Sequence, residues 1–124
     1  GKTNDAFLTT LEILPTLLQA SQVKLPQDVI LDGFDLLPVL RGEKPSARQT
    51  MFWQRRHDKG ARVGDWKWVE SDRGSGLFNL KTDIGEQRDL STTHPEVLGE
   101  LKQHFAHWKK QMDAAEPRGP FRDF

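Results

Sequence analysis

The chain has 124 residues, eighteen Lys and Arg against eighteen Asp and Glu, and no cysteine. That length buries roughly two thirds of the unfolded surface in a single domain. The balanced charge leaves no net field to draw nucleic acid or an acidic membrane, and the missing thiols exclude disulfides, thiolate metal sites and cysteine nucleophiles in this chain. Its longest apolar run falls well short of the roughly 20 residues that span a bilayer. The opening Gly1-Lys2-Thr3-Asn4 reads as a cut inside a longer protein or a cloning scar.

In chain order, Asp5–Thr10 is ambiguous between a strand and a helix lead-in. In LEILPTLLQAS (residues 11–21), Pro15 belongs in a first turn, because its ring lacks an N–H and clashes with a preceding turn. A short helix from about Glu12 is therefore expected, with Glu12 suiting the helix dipole and Leu14, Leu17 and Leu18 on one stripe. Gln22–Asp28 is a connector. Asp32-Gly33 signals a turn, and Leu36–Arg41 suits a single helical turn with Asp35 as N-cap and Gly42 closing it. A polar loop over Glu43–Gln49 leads to Thr50–Arg55, whose β-branched and aromatic residues predict a strand, and Arg56–Gly60 is expected as the following loop.

The most structured stretch is ARVGDWKWVESDRGSGLFNLKTDIGEQRDL, residues 61–90. Gly64-Asp65 between Ala61–Val63 and Trp66–Glu70 predicts a type II′ hairpin turn, with Gly taking the positive φ of the first central position. Alternation puts Trp66 and Trp68 on one face and Lys67 and Val69 on the other, Lys67 toward solvent. Ser71–Gly76 is expected as a loop before a strand at Leu77–Leu80, and Asp83 is placed to fold its carboxylate onto downstream N–H groups. Thr93 with Glu96 reads as a capping box with Pro95 in the first turn. Val97, Leu98, Leu101, Phe105, Trp108 and Met112 then form one apolar helical face, closed by Lys109 and Lys110. The tail, residues 116–124, is expected to be extended and pinned by Phe121 or Phe124.

These elements make an α+β fold: a small antiparallel sheet of about four strands against a long C-terminal amphipathic helix, preceded by an N-terminal helix and connector. Trp53, Trp66 and Trp68 are expected in the core beneath that helix, a sugar-stacking platform being the alternative. Arg55, Arg56 and His57 are the candidate substrate-binding residues, because paired guanidiniums hold anionic sugars by bidentate hydrogen bonds; a solvated loop is the plain alternative. His104 and His107 lack an evident third ligand, and Asp32, Asp35, Asp83 and Glu86 look like turn and cap residues rather than calcium ligands.

Five stretches, LEILPTLLQAS, LDGFDLLPVLRG, ARVGDWKWVE, GLFNLKTDIGEQRDL and THPEVLGELKQHFAHW, occur in an order that resembles the C-terminal part of type I sulfatases, the arylsulfatase family within the alkaline-phosphatase-like superfamily. The chain departs from the family's usual residues at Glu12 (Asp), Phe78 (Tyr), Ile84-Gly85 (Pro-Gly) and Asp89 (Asn), all conservative for packing. The resemblance implies a parent that hydrolyses sulfate esters of sulfated sugars or aryl sulfates, using Ca²⁺ and a formylglycine made in a Cys/Ser-x-Pro-x-Arg segment. No such segment occurs here, so the catalytic residues and cofactors are expected in an absent N-terminal α/β domain, with none in this chain. Residues 1–48 would contact that domain, 49–115 would be the C-terminal subdomain, and this piece alone would be inactive. A periplasmic or secreted parent fits the resemblance. Self-association through the apolar first helix is expected of the isolated piece. The alternatives are a free-standing α+β binding or interaction module, or part of a phosphonate or phosphate monoester hydrolase.

Overall fold

The computed structural model describes residues 1, 3–24 and 28–115. The expectations for residues 25–27 of the connector and for the tail at 116–124 lie outside them. The chain divides into two compact units, Gly1–Gln49 and Thr50–Phe124, and each is best understood by itself.

The first unit starts with a 3₁₀ turn, Thr10–Glu12, that runs into helix α1, Ile13–Ala20. Thr9 caps it: Thr9 and Glu12 satisfy each other in a capping box, with the Thr9 hydroxyl 2.9 Å from Glu12 Oε2. Glu12 is more than a complement to the helix dipole. It is fully buried, 0% exposed, and Arg48 closes on it with Nε donating to Oε1 at 2.9 Å. Arg48 also donates to the Asp32 carbonyl at 3.1 Å. Thr16, one turn along, donates to the Glu12 carbonyl at 2.6 Å and accepts from the Leu36 N–H at 2.9 Å. The backbone at Gly33 passes so close to Leu11 that a Cβ there would lie 1.9 Å from its carbonyl oxygen. Helix α2, Leu37–Leu40, starts one residue later than an Asp35 cap would place it: Leu36 is the N-cap, and Asp35 Oδ1 accepts from the Leu37 N–H at 3.0 Å. It ends in a Schellman motif, Gly42 N–H to Val39 O and Glu43 N–H to Pro38 O, with Gly42 at φ 75.

The second unit is a four-stranded antiparallel meander in the order β1-β2-β3-β4: Thr50–Arg55, Asp58–Val63, Trp66–Ser71 and Gly74–Asn79. Gly64 has φ 56 while Asp65 does not have a positive φ, as a type II′ turn requires. The other two connections are shorter than expected. Only Arg56-His57 and Asp72-Arg73 form the turns, so residues 58–60 and 74–76 are paired in the sheet. Tight turns carry the ladder to the tips, and they set which residues share a face.

The rows follow from that register. Phe52, Ala61, Trp68 and Leu77 lie side by side across the sheet, facing helix α3, Pro95–Ala114. Leu101 and Phe105 complete a buried core with Ala61, Trp68 and Leu77, and Phe52, Trp66, Leu98 and Trp108 pack around it. Phe105 meets Trp68 edge-on at 5.5 Å, and Trp108 stacks on Phe52 at 5.6 Å. The next row, Trp53, Gly60, Val69 and Gly76, points to the opposite face. Trp53 is therefore not beneath the helix but 42% exposed.

Helix α3 starts one residue later than a Thr93 cap would allow. His94 is the N-cap and Pro95 the first helical residue, with no side-chain cap. A residue before proline is pushed out of the helical region, and His94 sits at φ −133, ψ 57. The Thr93 hydroxyl instead donates to the Leu90 carbonyl at 3.2 Å.

The buried pair yields a test. Burial raises the Glu12 pKa, but hydrogen bonds from Arg48 and Thr9 outweigh it and hold the carboxyl below its ordinary 4.5. A depressed folded pKa stabilises fully above the unfolded value and is lost as pH falls from about 4.5 through the folded value. Arg48→Met, leaving a buried unpaired carboxylate, should cost the first unit about 3–5 kcal/mol. Glu12→Gln should flatten its acid dependence. Amide exchange of residues 9–16 against pH reads both.

Candidate functional site

The expected substrate-contact residues come together at one end of the sheet. In an up-and-down meander the β1–β2 and β3–β4 turns fall at the same end, so Arg56-His57 and Asp72-Arg73 are neighbours. A hollow of about 290 Å³ is lined by Arg55, Arg56, His57, Asp58 and Asp72. A second, of about 310 Å³, is lined by Arg55, Asp58, Ser71, Asp72 and Arg73. Three guanidiniums face two carboxylates, one net positive charge with His57 neutral. None of the three arginines forms an ion pair among the described residues. The chemistry available is anion binding by hydrogen bonding.

Arg56 pays for this geometry in backbone strain. It takes φ 55, the left-handed region that suits glycine, and the Gln54 side chain reaches its carbonyl at 3.4 Å. Ser71 organises the facing turn, donating to the Gly74 carbonyl at 3.1 Å and accepting from the Arg73 N–H at 3.2 Å.

Three of the four carboxylates weighed as calcium ligands, Asp35, Asp83 and Glu86, are committed elsewhere. Asp35 holds the Leu37 N–H, and Asp83 takes the N–H groups of Arg88 at 2.8 Å and Gln87 at 3.1 Å. Those two backbone donors, Arg88 first, hold the Asp83 carboxyl below its ordinary range. Glu86 binds Lys67 Nζ at 2.5 Å, so Lys67 is half-buried in an ion pair instead of simply facing solvent. Asp89 accepts from Leu77 N–H and Ser91 N–H, both at 2.9 Å. Among the described residues no group of three His, Cys, Asp or Glu is arranged to hold a metal ion. The described residues thus offer no donor set that fits the implied Ca²⁺, and the sequence holds no Cys/Ser-x-Pro-x-Arg precursor for formylglycine. His104 and His107 are exposed on α3, and no helix is long and apolar enough to cross a membrane among the described residues.

Sequence reasoning missed Asp58, Asp72 and Arg73 as neighbours of the arginines, and it missed Trp53 on the free face. The signal was the parity of β1. Two-residue turns on both sides of β2 put Trp53 opposite Gly60 and Val69, away from Trp68.

No family model matches the chain. It is 28% identical over 116 residues to an uncharacterized sulfatase of Schizosaccharomyces pombe, spanning 82% of this chain and 21% of that protein. It is 30% identical over 145 residues to arylsulfatase A of Bos taurus, spanning 90% of this chain and 28% of that protein. In sequence this chain is a relative of sulfatases. It spans only about a fifth to just over a quarter of the length of these two relatives. Solved structures share its fold. One, described with the metabolism of multiple glycosaminoglycans by Bacteroides thetaiotaomicron, superposes with a TM-score of 0.68 at 23% identity, over 86% of this chain and 26% of that one. Another, a protein in complex with a neocarrahexaose, has a TM-score of 0.68 at 21% identity, over 83% and 24%.

The strain at Arg56 can be separated from its charge. Arg56→Gly should stabilise the second unit by about 1 kcal/mol, the cost of a left-handed non-glycine residue, whereas Arg56→Ala should not. Urea unfolding of the two variants side by side measures the difference.

Proposed function

We propose that this chain is the C-terminal part of a hydrolase acting on sulfate esters of sugars or aryl alcohols, and that it completes one wall of the substrate cleft. The similarity to arylsulfatase A over nearly the whole chain carries this reading. Two structural neighbours, one in complex with a neocarrahexaose and one described as a 2-O GAG sulfatase, support sugars as the substrate class. In this reading Arg55, Arg56 and His57 face the cleft, where guanidiniums hold anionic oxygens of the substrate. The nucleophile, Ca²⁺ and sulfate-binding groups belong to the catalytic domain, and the parent is periplasmic or secreted. The test compares the full-length parent with the 124-residue piece on aryl sulfates and sulfated disaccharides. The parent should release sulfate and the piece should release none; turnover by the piece would overturn the reading.

Helix α1 supports a docking role for the first unit. Ile13, Leu14 and Leu17 are 50%, 51% and 61% exposed, and Leu11 joins them at 39%. An apolar helix face of this kind suits a covering partner, and we assign that partner to the catalytic domain. The isolated piece then self-associates through this face. Leu14→Glu with Leu17→Glu should return it to a monomer by sedimentation, and a wild-type piece already monomeric at millimolar concentration would count against the assignment.

A further inference from the structure

The face of the sheet opposite α3 carries a feature the sulfatase reading does not absorb. Trp53 lies over the cross-strand glycine: a Cβ at Gly60 would sit 3.6 Å from Trp53 Cε3 and 3.8 Å from Val69 Cγ1. Gly76, in the same row, is covered by the Phe78 ring, whose Cζ would meet a Cβ there at 2.5 Å. Two aromatic rings thus lie down over side-chain-free backbone, and the Trp53 ring keeps 42% of its surface exposed. In front of it is an open pocket of about 350 Å³, at the small end of the range for ligand sites.

Its rim is charged. Arg55, Asp58 and Lys67 share the Trp53 face and border its apolar floor of Trp53, Gly60 and Val69, while the side chain of Lys59 alternates to the α3 face. Lys59 is paired with Glu70 at 3.0 Å and Lys67 with Glu86 at 2.5 Å. Arg55 has no ion pair among the described residues, and it also lines both hollows at the hairpin tip. Alternation puts Trp53 and Arg55 on the same face of β1, roughly 7 Å apart along the strand. That spacing matches one sugar ring. An aromatic face takes the C–H side of a pyranose, and a guanidinium takes the oxyanion that a sulfated sugar presents beside it.

We propose that Trp53 and Arg55 form a saccharide subsite: one pyranose ring stacks on Trp53, and Arg55 binds an anionic substituent on that ring or the next. The assignment rests on the reading of the parent as a sulfatase acting on carbohydrate. A flat apolar protein surface is the poorer occupant, because the floor is one indole wide and bordered by three charged side chains, Arg55, Asp58 and Lys67.

The test uses the full-length parent with Trp53→Ala and Trp53→Phe. The ratio of kcat/KM for a sulfated trisaccharide to that for a single-ring aryl sulfate should fall about three- to tenfold in Trp53→Ala, mostly through KM, and recover in part in Trp53→Phe. An unchanged ratio overturns the subsite. So does an equal loss on both substrates with a lowered melting temperature, which would place Trp53 under the catalytic domain as packing. If the parent hydrolyses no sulfate ester, the sulfatase reading fails separately, and calorimetric titration with the sulfated trisaccharide decides the subsite. Binding to wild type that is lost in Trp53→Ala upholds it, and no binding to wild type overturns it.

Discussion

The second unit depends on one constraint, the register of its four strands. Because successive side chains in a strand alternate, a slip of a single residue would exchange every core side chain for an outward one. Three two-residue turns prevent this and align Phe52, Ala61, Trp68 and Leu77 in one row. Leu101 and Phe105 close on that row, and Ala61 and Leu77 lose all contact with solvent. The small Ala61 between Phe52 and Trp68 leaves room for the two large rings that α3 adds. The same register decides the other face, where every second residue of β1, including Trp53 and Arg55, is delivered together. Core and candidate site are two consequences of one alignment.

The first unit is organised on different chemistry. Among its described residues the buried groups are Glu12, Thr16 and Val39, two of them polar, while Leu14 and Leu17 of α1 are exposed. A buried ion pair adds little net stability over an apolar replacement, but it penalises any arrangement that separates the partners. Glu12 and Arg48 thus fix where the start of α1 meets the segment before β1, and the Asp32 carbonyl ties the intervening turn to the same guanidinium. The unit is specified by directional bonds and keeps its apolar surface for something else. That division leaves the apolar side of α1 open to a covering partner.

What could be read from the residues was what is local. The Gly64-Asp65 turn, the apolar face of α3, the Gly42 terminus of α2 and the Asp83 loop each depend on neighbours within a few positions. The errors have local causes as well. Arg56-His57 carries no turn-favouring residue, so the first hairpin looked like a longer loop, and the parity of Trp53 was lost with it. Thr93 and Glu96 matched a capping pattern, but proline at 95 moved the boundary to His94. The Thr9 capping box was present in the spacing Thr9 to Glu12 and was overlooked beside Pro15. Arg48, thirty-six residues from Glu12, gave no signal at all, since nothing in the intervening chain says that the two ends of the first unit meet.

The guard on the outer strand carries a last implication. At β4, the Leu77 N–H is held by the Asp89 carboxylate and the Leu77 carbonyl by the Leu90 N–H. An outermost strand with free amides is a template onto which another chain adds itself, and here a side chain, rather than a fifth strand, fills that role. Hydrogen bonds from Ser91 and Leu77 keep the Asp89 carboxyl below its ordinary range, so its charged form, the stronger acceptor, persists into mild acid. Protonation of Asp89 in strong acid weakens this cover and leaves the margin of β4 more open to pairing with another chain.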